Sequence, residues 1–204
     1  MKQLLAFTLL GILAMGAEPQ TKNADDSVFG MRLGEKFSIP ECAHLKKSNL
    51  YAENDPAPCY ERIGSTWEKK ARHDSPVTND TVTILFPFSQ RPPIISGLKI
   101  SAQIVDGHLE SIGFNTMGLQ TQDQTLSTLK EKYGDPTSLT ELKKQNNFGA
   151  TFDSHFSVWK FEKFTVAFQG TTDRFDSGLV NIDTKKGADY RSALLKKSQD
   201  GPKL

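Results

Sequence analysis

Two cysteines, Cys42 and Cys59, stand 17 positions apart, with His44 close behind the first. Thiolates and an imidazole at such spacing can bind a metal or, for the cysteines alone, form a disulfide. A zinc site needs a further Cys-x-x-Cys or His-x-x-x-His pair to complete its four ligands. The sequence has neither, so no metal is assigned. The cysteines read as a disulfide closing the polar segment that contains Asn54-Asp55-Pro56-Ala57-Pro58. Closing a loop of this size contributes about 3 kcal/mol.

Asp153-Ser154-His155 places a carboxylate, a hydroxyl and an imidazole side by side. A nucleophile, its base and the group orienting that base converge from separate elements, so the triplet reads as a loop with a solvated histidine. Ser-x-x-Lys, which sets a serine beside its lysine in some acyl-enzymes, occurs at Ser127–Lys130, Ser96–Lys99 and Ser157–Lys160 without a Lys-Thr-Gly or Ser-Asp-Asn partner. Asp173-x-x-Asp176-x-Gly178 offers oxygens but lacks the alternating ligands and final glutamate of a calcium loop. His-Glu-x-x-His, Gly-x-Ser-x-Gly, the phosphate-binding loop and the dinucleotide fingerprint are all missing. The expectation is a protein with no catalytic residues and no cofactor.

Charge and hydropathy narrow the classes further. The 204 residues carry 25 Lys+Arg against 24 Asp+Glu, and the densest basic run is Lys69-Lys70-Ala71-Arg72-His73. A nucleic-acid surface needs a clearer basic excess. Lys2 is the only charge before Glu18, and Leu4–Ala17 is apolar or small, ending Ala14-Met15-Gly16-Ala17. That pattern is a secretory signal cleaved near Gly16 or Ala17. About 14 apolar residues fall short of the roughly 20 needed to span a bilayer, and no cysteine near the cleavage site offers a lipid anchor. The mature chain, with 24 basic and 24 acidic residues, is expected to be periplasmic or secreted, with neither a membrane span nor a lipid anchor.

The elements that must position any site are legible from about Thr81. Phe29–Glu35 begins ordered structure, Ile39–Leu45 suggests a short helix, and Ser65–Ser75 reads as a surface loop around Trp67. Val82, Ile84, Phe86 and Phe88 alternate as a half-buried strand, with Pro87 marking its end. Leu98–Val105 and His108–Asn115 flank Asp106-Gly107, a strong hairpin signal. Strict pairing sets Ile104 opposite Leu109 and throws Ile112 and Phe114 onto the other face from Leu98 and Ile100. Either both faces are covered or a bulge near Ser111–Gly113 shifts the register, and Gly113 favours the bulge.

Gln122–Tyr133 reads as a helix with a Thr121/Gln124 capping box, an apolar stripe of Leu126, Leu129 and Tyr133, and a stop at Gly134 and Pro136. Ser138–Lys144 suggests another helical turn. A hairpin turning at Glu162-Lys163 pairs Phe161 with Phe164, Trp159 with Val166 and Ser157 with Phe168, leaving Lys160, Thr165, Ala167 and Gln169 on the opposite face. Residues 1–17 are then the signal, 18–27 a flexible linker, 28–118 a first α+β unit with the disulfide-clipped loop, 119–184 a second unit, and 185–204 a polar basic tail. The fold class is α+β, an antiparallel sheet of hairpins with one helix on one face, in one compact domain.

The opening Phe29-Gly30-Met31-Arg32-Leu33-Gly34 and the later Leu126-x-x-Leu129-x-x-x-Tyr133-Gly134-Asp135-Pro136 before strands resemble exported modules of the SmpA/OmlA and β-lactamase-inhibitor-protein type. The chain departs from them in lacking a lipobox cysteine and in carrying the Cys42–Cys59 insertion. The resemblance implies a module that binds another protein. The outward candidates for that contact are Lys160, Thr165 and Gln169 on the hairpin, with Phe148, Phe152, His155, Phe156, Arg174 and Phe175 in loops. An inhibitor- or immunity-like role leads. An envelope-assembly accessory and an unrecognised hydrolase are the alternatives.

Overall fold

The structure, a computed structural model, describes residues 25–42, 57–65, 68, 71–72, 75–145 and 149–199. The expected signal segment, most of the linker, Trp67, His44 and Phe148 lie outside the described residues. The chain is α+β. Two short strands, β1 (Ser27–Val28) and β2 (Met31–Arg32), form a small hairpin. Eight more form one antiparallel sheet: β3 (Cys59–Arg62), β4 (Asp80–Leu85), β5 (Lys99–Val105), β6 (His108–Thr116), β7 (Ser138–Gln145), β8 (Thr151–Lys160), β9 (Phe164–Gln169) and β10 (Gly178–Thr184). Their spatial order is β3-β4-β5-β6-β10-β9-β8-β7, two four-stranded meanders meeting at the β6–β10 pair. Two α-helices are described over their whole length, α1 (Gln122–Tyr133) and α2 (Lys185–Gln199).

The core follows from the register. Arg62, Val82, Ala102, Ile112, Ile182, Val166 and Trp159 face one another in a single row across seven strands. The six after Arg62 are at most 1 % exposed. Leu126, Leu129 and Tyr133 of α1 pack over this first face together with Val28, Met31, Leu33 and Phe86. Phe29, held at φ 52° in the β1–β2 turn, sets its ring edge against Phe86 and Phe114 at 5.9 and 5.2 Å. Burial pushes the Tyr133 phenol well above its ordinary pKa.

A bulge makes the row continuous. Val105 faces His108 and Ile104 faces Leu109, but Gln103 faces Ser111, so Glu110 is the extra residue. It falls just before the expected Ser111–Gly113 segment, and it turns Ile112 and Phe114 inward beside Ala102 and Ile100. Gly113 serves another purpose: a Cβ there would approach the Asn181 side-chain oxygen to 2.9 Å.

The second hairpin has its expected register, with Ser157 on Phe168 and Trp159 on Val166. Phe161 N–H closes the turn onto the Phe164 carbonyl at 2.9 Å. Helix α1 has its expected bounds and stops at Gly134, φ 80°, whose carbonyl accepts the Trp159 indole N–H at 2.8 Å.

Several expectations give way. The Thr121/Gln124 capping box does not form; Thr121 makes no side-chain cap, and Gln122 instead donates to the Asp153 carbonyl at 2.8 Å. A capping box does form at Ser65 and Glu68, where the sequence reading placed a plain loop, and Glu68 and Ala71 are helical. Glu41 is no helix start; it bridges Tyr60 in parallel and leads to the Cys42–Cys59 disulfide. Phe88 leaves the strand after Pro87 and is 75 % exposed in a 3₁₀ turn.

Ser138–Gln145 is strand β7 rather than a helical turn. Pro136 forbids helix continuation, and the Thr137 hydroxyl accepts the Lys160 N–H at 3.0 Å, which holds the chain beside β8. Phe152, the Asp153–His155 triplet and Phe156 belong to β8, not to a loop. The polar tail is helical over Lys185–Gln199, with the Thr184 hydroxyl capping Gly187 N–H at 3.1 Å.

Two stability measurements follow. Trp159→Ala should cost about 3–5 kcal/mol in denaturant unfolding, whereas Trp159→Phe, which keeps an aromatic ring but drops the bond to Gly134, should cost less than half of that. Reducing the disulfide should cost about 3 kcal/mol; an unchanged urea midpoint would show that the clip constrains nothing.

Candidate functional site

Alternation that sends the core row inward sends its neighbours to the second face. There three cross-strand rows are defined on the β8–β10 side: Phe156, Gln169 and Leu179; Val158, Ala167 and Asn181; Lys160, Thr165 and Asp183. The middle row continues through Gly113, Ser101 and Thr83 to β4 and, on the other side, to Ser138 of β7. Apart from Val158 and Asn181 these side chains are small, so the row is a low strip across the strands between bulkier rows, a trough that is hollowed most at Thr83, Ser101, Gly113 and Asn181.

Helix α2 walls the trough on one side. It packs on β5, β6 and β10, and Arg191 pairs with Asp183, which also accepts the Ser111 hydroxyl. Close approach requires Gly187, because a Cβ there would collide with the Glu110 carbonyl. Lys186 binds Asp106 at 2.7 Å, and that hydrogen bond holds the Asp106 carboxyl below its ordinary pKa and the Lys186 ammonium above its own. Where Arg191 stands over the strands, a cavity of about 330 Å³ opens among Lys99, Ser101, Gln103, Asn115 and Asn181. Gln103 is 8 % exposed there, and its side-chain oxygen has no hydrogen-bond partner.

The opposite rim is aromatic and apolar. Phe156 is 39 % exposed, Leu179 is half-buried beside Gln169, and Phe175 is 55 % exposed in the loop before β10. That loop is built, not loose. Phe175 carbonyl accepts Leu119 N–H at 2.8 Å, Gln169 donates to the Thr171 carbonyl, and the Lys144 ammonium binds the Thr171 and Thr172 carbonyls at 2.7 Å each. Arg174 grips Asp176 with bonds of 2.9 and 2.6 Å, which lowers the Asp176 pKa.

The sequence candidates therefore do not form one patch. Gln169, Arg174 and Phe175 cluster on one rim of the trough, Lys160 and Thr165 lie on the other, and His155 points to the α1 side, where its Nε2 meets Asp123 at 2.9 Å. Asp153 pairs with Lys143 at 2.8 Å, and the Ser154 hydroxyl accepts the Thr171 N–H and hydroxyl. The three neighbours thus turn to three different partners, not to one another. Among the described residues no three His, Cys, Asp or Glu side chains are grouped to hold a metal. Asp176, in the segment that lacks a calcium-loop pattern, is engaged by Arg174. Val158, Ala167, Asn181 and α2 stand outside the sequence-based candidates, although the alternation of the hairpin places Ala167 outward.

No family model, curated protein or solved structure matches this chain.

Gly187→Val should lift α2 off the sheet while the core row stays folded. Limited proteolysis at Lys196 and Lys197 would then quicken strongly with little change in the global unfolding midpoint. Acid should loosen the same contact: a depressed carboxyl stabilises above its unfolded pKa, near 4, and that contribution is lost as pH falls through the lower folded value. Amide exchange in the first turn of α2 should rise below about pH 4, and in Asp106→Asn it should lose this pH step.

Proposed function

We propose that the chain is an exported, non-catalytic binding protein, inhibitor- or immunity-like, that docks the second face of its sheet on a partner protein. The observation that carries this reading is the trough of small side chains between α2 and the rim of Phe156, Leu179 and Phe175. A trough of that form accepts a strand or loop of another protein, and exposed aromatic and arginine side chains on its rim supply anchors. The Cys42–Cys59 disulfide fits an oxidising compartment, in line with the signal-like start of the sequence. No helix among the described residues is long and apolar enough to cross a membrane. The resemblance to inhibitor-type modules points in the same direction.

Affinity capture from periplasmic extract with the mature chain tests the reading. Phe156→Asp and Phe175→Ala should each weaken capture of a single stoichiometric partner by about ten-fold or more. Lys160→Glu, at the far rim, should act mainly on the association rate. Retention of the same partner by all three variants would exclude this face. Co-fractionation with outer-membrane complexes in place of a one-to-one partner would favour the assembly-accessory reading.

A further inference from the structure

The two edges of the large sheet are treated differently. At β3 the edge is covered: Cys42 N–H donates to the Tyr60 carbonyl at 3.0 Å, Tyr60 N–H donates to the Pro40 carbonyl at 2.9 Å, and the disulfide locks the segment in place. At β7 the edge is open over eight residues, Ser138–Gln145, and among the described residues nothing pairs with its outer side. Seven of the eight residues are exposed, including Leu139 at 45 % and Leu142 at 41 %. The strand contains no proline and, with its β8 partner, no bulge.

Lysines commonly guard such an edge, but both lysines of β7 lean onto their own chain, Lys143 remaining 82 % exposed to a facing strand. Lys144 is drawn onto the Thr171 and Thr172 carbonyls, and Lys143 is paired with Asp153. An edge of this length with its guards engaged is a template for another strand.

The charge pattern selects the occupant. Two copies of β7 pairing antiparallel about a two-fold axis must place one residue on the axis, opposite itself. With Glu141 there, glutamate faces glutamate; with Lys143 or Lys144 there, lysine faces lysine. With Leu142 on the axis, the leucines meet, Glu141 faces the partner's Lys143 twice over, and Thr140 faces the partner's Lys144. Centring on Thr140 leaves Lys143, Lys144 and Gln145 without counterparts in the strand. Only the Leu142 register uses nearly the whole edge with opposite charges in contact.

We infer that β7 is a homodimerisation edge, two copies joining about Leu142 into one sixteen-stranded antiparallel sheet. A two-fold perpendicular to the sheet puts both troughs on the same side of the dimer. The interface is one strand wide, so the association is weak and self-limiting. It stands independently of whether the trough takes a partner.

Sedimentation equilibrium of the mature chain between about 10 µM and 1 mM, the range for a small interface, should show a monomer–dimer equilibrium. Glu141→Lys and Lys143→Glu, each alone, should weaken it by at least about ten-fold, because like charges then face each other. An equimolar mixture of these two variants should form a heterodimer of wild-type strength, since every facing pair is again opposite in sign. Unchanged circular dichroism spectra and melting curves would show that the single variants fold. A wild-type chain that stays monomeric at 1 mM, a dimer indifferent to both reversals, or a mixture that fails to recover would each overturn the assignment.

Discussion

The extra residue Glu110 in β6 decides which way the centre of the sheet faces. Without it, Ile112 and Phe114 would turn outward, and β10 would meet the wrong side chains at the junction of the two meanders. The same bulge works on the other face. The Glu110 carbonyl sits under Gly187, its carboxylate accepts the Thr184 hydroxyl, and the following Ser111 bonds Asp183 beside Arg191. One inserted residue therefore closes the core row on one side and seats α2 on the other.

The large side chains follow from that constraint. Trp159, Phe164, Phe168 and Tyr133 fill the first face, where α1 and the β1–β2 hairpin exclude water. The second face has no matching hydrophobic load and is covered over only part of its width, by a helix held largely through ion pairs and hydroxyls. Folding free energy comes mainly from the first face. That frees the second to carry small residues, exposed rings and an accessible cavity, the features that a recognition surface requires.

What was legible in the sequence was local. Gly134 with Pro136, Asp106-Gly107 and the alternation around Glu162-Lys163 each act within a few residues, and each element stands where those signals put it. Where tertiary pairing competes with propensity, pairing wins. Ser138–Lys144 has a helix-forming composition, yet β8 captured it as a strand, and the polar residues of 185–199 form a helix because the sheet offers Asp183 and Asp106 as anchors. The Ser65/Glu68 box is written in the sequence as plainly as Thr121/Gln124, which has the right residues but the wrong backbone, Thr121 lying at ψ 6°. The trough was the least legible feature. Ser138, Ala167, Gly113, Ser101 and Thr83 are scattered along the chain, and only the register brings them into one row.

The role proposed for this row of small side chains is to receive a partner. Ala167→Tyr, which points outward from β9 and leaves the core row untouched, tests it most directly when partner affinity is measured beside thermal stability. The expected result is a loss of affinity of about a hundred-fold, as a bulky ring blocks the centre of the interface, with the melting temperature nearly unchanged. Full affinity with a stable fold would contradict it.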